Sequence, residues 1–196
     1  MVAAAELDAA AAAVESGDLV VYPTETVYGL GADALDGAAV ERAFEAKGRD
    51  RSNPMSLAVP SVGAAAEYVS AGPRERRFMR AFLPGPVTVV CEKRDVVPDA
   101  LTGGEPTVGV RVPDHEVALA LLERVAPITA TSANASGDPS ARRVADLDAS
   151  FLDRIAVVLD GGETPGGEST VVDVRRDRIL RRGAYADAVE TWLESE

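Results

Sequence analysis

Cysteine, histidine and lysine are almost missing from this chain. Its 196 residues hold one cysteine, Cys91, one histidine, His115, and two lysines, Lys47 and Lys93. A single cysteine excludes an internal disulfide and a cysteine metal cluster. Cys91 sits in "PVTVVCEK", a strand-like run in which it reads as a small core residue. His115 stands at a predicted helix start and reads as an exposed first-turn residue, so no Cys–His or Ser–His nucleophile is expected. No apolar run approaches the roughly eighteen residues of a membrane-spanning helix. The Ala-rich N-terminus carries Glu6, Asp8 and Glu15 and no basic residue, so it predicts an amphipathic helix in place of a signal peptide, and a cytoplasmic protein. The G-x-x-x-x-G-K-[ST] phosphate loop, the G-x-S-x-G elbow, H-E-x-x-H and Cys-x-x-Cys are absent. "GLGADA" starts like a dinucleotide fingerprint but lacks its third glycine.

Acid is what the chain has in excess. Asp and Glu number 32 against 20 Lys and Arg, a net charge of −12. Such a surface repels nucleic acid. It is the composition of a protein kept soluble in concentrated salt, and a halophilic archaeon is the expected source. A GC-rich genome, which also depletes lysine, is the alternative.

The length suits one domain with a real core, expected over residues 1–196. Short β-branched runs predict strands at 19–22, 55–59, 86–92, 107–112, 127–131, 155–160, 170–174 and 178–182. Helical patterns fall at 4–16, 36–46, 61–69, 73–82, 114–124, 142–149 and 185–194. Strands interleaved with helices give an α/β class. The tail "STVVDVRRDRILRRG" reads as a hairpin, so the sheet is expected to be mixed, and "DGGETPGGEST" is the longest loop candidate.

Polar and basic residues recur at the strand ends, where α/β folds place ligands. The strand at 19–22 runs into "PTETVYGLGADA", which sets Thr24, Glu25, Thr26 and Tyr28 together. "KGRDRSNP" carries Lys47, Arg49 and Arg51 at alternate positions, followed by Asn53. Three cations in five residues suit a phosphate or carboxylate; a solvated helix end, where the dipole favours cations, uses the same residues. In "TVGVRVPDH", alternation points Arg111 away from Val110 and Val112 and beside Gly109, which leaves room for a ligand; an edge-strand arginine facing water is the other reading. "PITATSANASGDPSARR" brings Ser132, Asn134 and Ser140 into a hydroxyl-rich loop that can hold an anion or simply cap and turn the chain.

Taken in order, "YPTETVYGLGADA", "KGR" with "SNP", "LPGPVTVV", "VGVRVP", "TSANASGDPS", "STVVD" and "ILRRGA" resemble the YrdC-like family over about residues 8–184. The resemblance implies a single YrdC-like domain: a twisted, open mixed sheet flanked by helices, with a deep substrate cleft. It implies an L-threonylcarbamoyladenylate synthase, a nucleotidyltransferase that forms threonylcarbamoyl-AMP and pyrophosphate from L-threonine, bicarbonate and ATP, with Mg2+ accompanying the ATP. The product would serve tRNA modification through a threonylcarbamoyl transferase complex. The family's catalytic signature falls on Lys47, Arg49, Ser132 and Asn134. ATP contacts fall on Arg49, Asn53, Thr107, Ser132, Ser140 and Arg181, and threonine contacts on Thr26, Arg111 and Ser169. Gly29 and Gly31 would keep the turn after the Pro-Thr-Glu-Thr run compact. The chain departs from the pattern at Asp50, where proline is usual, at Ala58, where a histidine is common, and in "ILRRG", where Arg182 replaces proline. The chain resembles the short form, without the longer members' extra C-terminal domain. A YrdC-like relative that binds RNA without catalysis is the alternative function.

Overall fold

The computed structural model describes residues 2–195. In chain order it forms α1 (Ala4–Glu15), β1 (Val20–Tyr22), β2 (Gly29–Gly31), α2 (Gly37–Lys47), β3 (Ser56–Ala58), β4 (Val69–Ser70), α3 (Pro73–Phe82), β5 (Val87–Lys93) and α4 (Asp99–Thr102). It continues through β6 (Thr107–Arg111), α5 (Glu116–Leu122), β7 (Ile128–Ser132), α6 (Ala149–Leu152), β8 (Val157–Val158), β9 (Thr170–Asp173), β10 (Arg178–Arg181) and α7 (Ala186–Ser195). The strands join in the order β10-β9-β5-β6-β3-β7-β2-β1-β8, with β4 paired to the end of β5. Parallel pairs (β1–β8, β3–β6, β5–β9) mix with antiparallel ones, and β9–β10 is the predicted tail hairpin.

Two apolar clusters sandwich this sheet. One side packs Phe44, Phe78, Met79, Leu57, Val89 and Val110 into the main core. On the other, α1 and α5 send Leu7, Ala10, Val14, Ala118, Leu121 and Leu122 onto Val20, Tyr22, Ala58 and Ile128. That second layer covers the β1–β7 half only. Over β5, β6 and β9 the same face stays open, and Thr88, Gly109, Arg111 and Val171 line a cleft there.

The structure adds α4, which the sequence reading did not place, and departs from that reading at four further places. Gly29–Gly31 is a strand, not a compact turn: it pairs antiparallel with β1, Tyr22 opposite Gly29 and Val20 opposite Gly31. A Cβ at Gly29 would lie 2.9 Å from the Tyr22 ring, and one at Gly31 2.9 Å from Val20. The glycines are therefore needed for close cross-strand approach. The helix expected at 142–149 is a 3-10 turn, Val144–Asp146, followed by α6. Asp146 accepts from the N–H groups of Arg142 and Arg143, and Asp148 caps α6 separately, so two short capped turns replace one helix. The helix expected at 61–69 shrinks to a 3-10 turn, Ala64–Glu67, before β4. His115 is not an exposed first-turn residue: it is the N-cap of α5, its Nδ1 accepting from the Val117 N–H at 3.2 Å. Cys91 is fully buried in β5, where burial pushes its thiol pKa well up and keeps it inert.

Candidate active site

The cleft has a volume of about 510 Å³. Thr26, Lys47, Arg49, Thr107, Arg111, Ser132, Asn134, Ser140, Ser169 and Arg181 all line it, although they come from six separated stretches of chain. Of the residues to which the family resemblance assigns catalysis, ATP or threonine, only Asn53 is not among those lining it. Asn53 meets the site through its backbone, its carbonyl accepting from Arg49 Nε at 2.8 Å.

At one end stand the cations. Lys47 closes α2, where Gly48 in the left-handed conformation ends the helix. Its side chain is only 2% exposed, and no carboxylate touches it. Nζ instead donates to the carbonyls of Ser132 and of Asn134, the latter at 2.8 Å, while the Ser136 N–H returns a bond to the Lys47 carbonyl at 2.7 Å. Burial, reinforced by the charge of Arg49, pulls the Lys47 ammonium down to about 8. Arg49 is lowered for the same first reason, with Arg181 as its cationic neighbour. Two carbonyls, of Asn53 and Pro54, hold its guanidinium. Arg51, the third cation of the predicted cluster, turns away and pairs with Glu41 at 2.5 Å on the surface.

Ser132 ends β7, and Asn134 ties the following loop by donating to the carbonyls of Ala135 and Asp138, both at 2.8 Å. Its Oδ1 stays buried without a partner. From the far edge, Arg181 donates to the carbonyl and hydroxyl of Ser169, each at 2.9 Å, and Ser169 Oγ lies 3.2 Å from Thr88 Oγ1.

The other end is built on the loop between β1 and β2. Thr24 Oγ1 donates to the Val27 carbonyl at 2.6 Å and accepts from the Thr26 N–H at 3.2 Å. This sets Thr26 Oγ1 to accept from Arg111 Nη2 at 2.8 Å. The same Nη2 meets Glu25 Oε1 at 2.9 Å, both side chains being more than four-fifths buried. Glu25 Oε2 and Arg111 Nε remain buried without hydrogen bonds. Sequence reading singles out Glu25 with its neighbouring hydroxyls but assigns it no role or partner. The signal was there, since a lone acid between two threonines in a buried turn calls for a cation, but the partner is 86 residues away in sequence. Tyr28 anchors the Gly-rich loop behind this turn, donating to the Gly162 carbonyl at 2.7 Å, and the Gly166 N–H bonds the Thr26 carbonyl.

Between the two ends the floor is kept open by small residues. A Cβ on Gly109 would come 2.3 Å from Ser56 Oγ and 2.9 Å from Thr88 Cγ2. Ala58 is buried beside Arg111 in the sheet register and offers no titrating group. Among the described residues no cluster of three His, Cys, Asp or Glu side chains could hold a metal ion, and no helix is long and apolar enough to cross a membrane. The arrangement can therefore hold two anionic groups apart over a neutral floor.

Comparison with known proteins bears on this geometry. A threonylcarbamoyl-AMP synthase of Pyrococcus abyssi is 47% identical over 168 residues, covering 84% of this chain and 49% of the relative. The one from Bacillus subtilis is 39% identical over 180 residues, covering 89% and 52%. The crystal structure of P. abyssi Sua5 complexed with L-threonine superposes with a TM-score of 0.86 at 45% identity, over 90% of this chain and 54% of that one. The chain thus spans about half the length of these relatives. The family model Sua5_yciO_yrdC, described as "Telomere recombination", matches residues 12–183. With nearly its whole length matched and the motif residues gathered in one cleft, the chain belongs to the Sua5/YciO/YrdC family.

Proposed function

We propose that this chain is an L-threonylcarbamoyladenylate synthase, joining L-threonine, bicarbonate and ATP into threonylcarbamoyl-AMP and pyrophosphate. The observation that carries the reading is the pairing of two unlike anion sites in one cleft: Lys47, Arg49 and Arg181 at one end, Arg111 with Thr26 at the other. The crystallised P. abyssi relative, described as complexed with L-threonine, supports it.

In this reading Arg111 takes the threonine carboxylate, with Thr26 and Ser169 closing that pocket. Lys47, Arg49, Arg181 and the hydroxyls of Thr107, Ser132 and Ser140 receive the nucleotide. Asn134 shapes the loop, and Asn53 acts by fixing Arg49. The neutral threonine amine forms a bond to the carbon of bicarbonate, whose hydroxyl leaves as water with a proton from the nitrogen. If bicarbonate is first dehydrated to CO2, the water leaves at that stage, and the amine adds to CO2 with loss of a proton. A carbamate oxygen then attacks the α-phosphorus of ATP. The bond to the α–β bridging oxygen breaks, and its electron pair leaves with pyrophosphate. No protein nucleophile is needed, in keeping with the inert Cys91 and the capping His115. The protein supplies orientation and charge neutralisation. Mg2+ enters as part of the substrate, bound to the ATP phosphates: the wall there is cationic and lacks a carboxylate cage.

The product would pass to a threonylcarbamoyl transferase complex acting on tRNA, in the cytoplasm. The net charge of −12 supports indirect rather than avid tRNA contact, and supports work in concentrated salt.

The test is pyrophosphate release from ATP and bicarbonate in high KCl, with and without L-threonine, and detection of the adenylate by mass spectrometry. Threonine-dependent release with a threonylcarbamoyl-AMP mass is the expected result. A folded protein that binds RNA but releases no pyrophosphate would replace it with the non-catalytic reading.

A further inference from the structure

A second cavity, of about 420 Å³, shares no lining residue with the cleft. It lies among the 3-10 turn Ala64–Glu67, β4 and α3. Its floor is the buried trio Ala65, Val69 and Met79, all part of the main core. Apart from Ser70 and two arginines, Arg76 and Arg94, every lining residue is Val, Ala, Gly or Met. Such walls favour an apolar guest, and the volume suits a small molecule.

The arginines are held by β4. That strand pairs with β5 alone. The Arg94 N–H donates to the Tyr68 carbonyl at 2.8 Å, which places that carbonyl on the β5 side. Alternation along an antiparallel strand then turns the Val69 and Ala71 carbonyls to the free edge. Each accepts from one guanidinium: Val69 from Arg94 Nε at 3.3 Å, Ala71 from Arg76 Nη1. The two anchor points are two residues apart, about 7 Å along an extended chain. One side-chain bond each leaves most of the guanidinium N–H groups unused. Neither arginine is ion-paired among the described residues, although the chain holds 32 acids against 20 bases. Blunting an open strand edge accounts for the arginines but not for the apolar cavity beside them. A carboxylate fits the gap, with one oxygen on each guanidinium at ordinary charge-assisted lengths of about 2.8 Å. The complementary ligand is therefore apolar along its body and anionic at one end.

We propose that this cavity is a binding site for a small amphiphilic carboxylate. Its aliphatic chain lies over Val69 and Met79, and its carboxylate bridges Arg76 and Arg94. The site is separate from the cleft, and nothing in it depends on the synthase reading.

Methionine methyl groups labelled with carbon-13 report on both places, because Met55 lines the cleft and Met79 the second cavity. Decanoate is titrated into the wild-type protein, the Arg76→Ala, Arg94→Ala and double variants, and Ala66→Phe, which fills the cavity from an exposed lining position. Butyrate and 1-decanol serve as probes without the tail or the charge, and circular dichroism confirms folding. Saturable decanoate binding should shift Met79 and leave Met55 in place. Butyrate and decanol should each bind at least about tenfold more weakly. Each single arginine variant should lose about tenfold in decanoate affinity, the double variant more, and Ala66→Phe should abolish binding. No saturable Met79 shift in the wild-type protein would overturn the site. So would an unchanged decanoate affinity in the folded double variant, or in folded Ala66→Phe. Met55 and Met79 shifting together, the mark of unspecific apolar binding, would overturn it too.

Discussion

Arg111 and Lys47 line the same cleft and are neutralised in opposite ways. Arg111 has an internal carboxylate, Glu25, at 2.9 Å. Lys47 is at least as buried but faces only carbonyl oxygens. A carboxylate cancels a full charge, whereas two carbonyl dipoles solvate one without cancelling it. The Arg111 end is therefore a stable, pre-paired structure in the absence of substrate, and the Lys47 end carries an unbalanced cation. Neighbouring cations sharpen this, because Arg49 lowers the Lys47 pKa and Arg181 lowers that of Arg49. The cationic end holds an electrostatic cost that only an incoming polyanion relieves, and such stored preorganisation is what stabilises charge developing on phosphate.

If that contrast is right, the largest effect comes from removing a cation with no internal partner. Lys47→Ala or Arg49→Ala should lower adenylate formation by at least ~100-fold with the fold intact. Pyrophosphate release measured alongside circular dichroism checks it, and near-normal turnover in either variant would refute the assignment.

The second effect is on stability, at the pre-paired end. Glu25→Ala strands Arg111 with a cation and no counter-ion, and should destabilise the fold by about 2–3 kcal/mol. Thermal unfolding with and without L-threonine reads this directly. Threonine should restore more of the lost melting temperature in Glu25→Ala than it adds to the wild-type protein, since its carboxylate would take the vacated side of Arg111. Equal shifts in both proteins would break the proposed pairing.

The third effect separates the ends by pH. With the Lys47 ammonium at about 8, kcat/KM for ATP should fall about tenfold per pH unit above that value, while kcat falls only at higher pH because bound phosphate holds the proton in place. The same group has a sign for stability. Between about 8 and the ordinary 10.5 the unfolded chain binds a proton that the folded chain has released, so stability should rise with pH across that window; below it the burial cost is felt in full. Denaturant melts at pH 7.5 and 10 in a Lys47→Met background, where the rise should vanish, test this.

The smallest effect belongs to pairs outside the cleft. Arg124 meets Asp8 at 2.7 Å between α5 and α1, but Asp8 is largely exposed. Arg124→Ala should cost no more than ~0.5 kcal/mol and leave turnover unchanged.

The same contrast governs what the sequence revealed. The long β-branched strands, the helices α1, α2, α3, α5 and α7 and the alternation that turns Arg111 into the cleft are all local patterns of period 2 or 3.6. They were legible. Strand β2 was not, because Gly29 and Gly31 have poor strand propensity and are explained only by Tyr22 and Val20 across the hairpin. The helix at 142–149 failed because Asp146 and Asp148 each end or start a turn by side-chain capping, which outweighs a weak apolar period. Within the site, the residues assigned a role were found through the family resemblance, and all but Asn53 line the cleft. The Glu25–Arg111 pair is a long-range feature. It has no spacing rule, since it depends on which strands the fold sets side by side.

One consequence of the Lys47 contacts remains. The lysine is strapped to residues 132–136 by three bonds, two given by its side chain and one received by its backbone. The hydroxyl-rich loop and the buried cation therefore open and close as one cooperative unit. Any event that melts the loop releases the ammonium to water, and any event that discharges the ammonium loosens the loop. Amide exchange at Ser136 becomes a reporter of the charge state of a side chain eighty-nine positions earlier in the chain. It should quicken as pH climbs through 8 by more than base catalysis alone dictates, and slow again once nucleotide locks the proton in place.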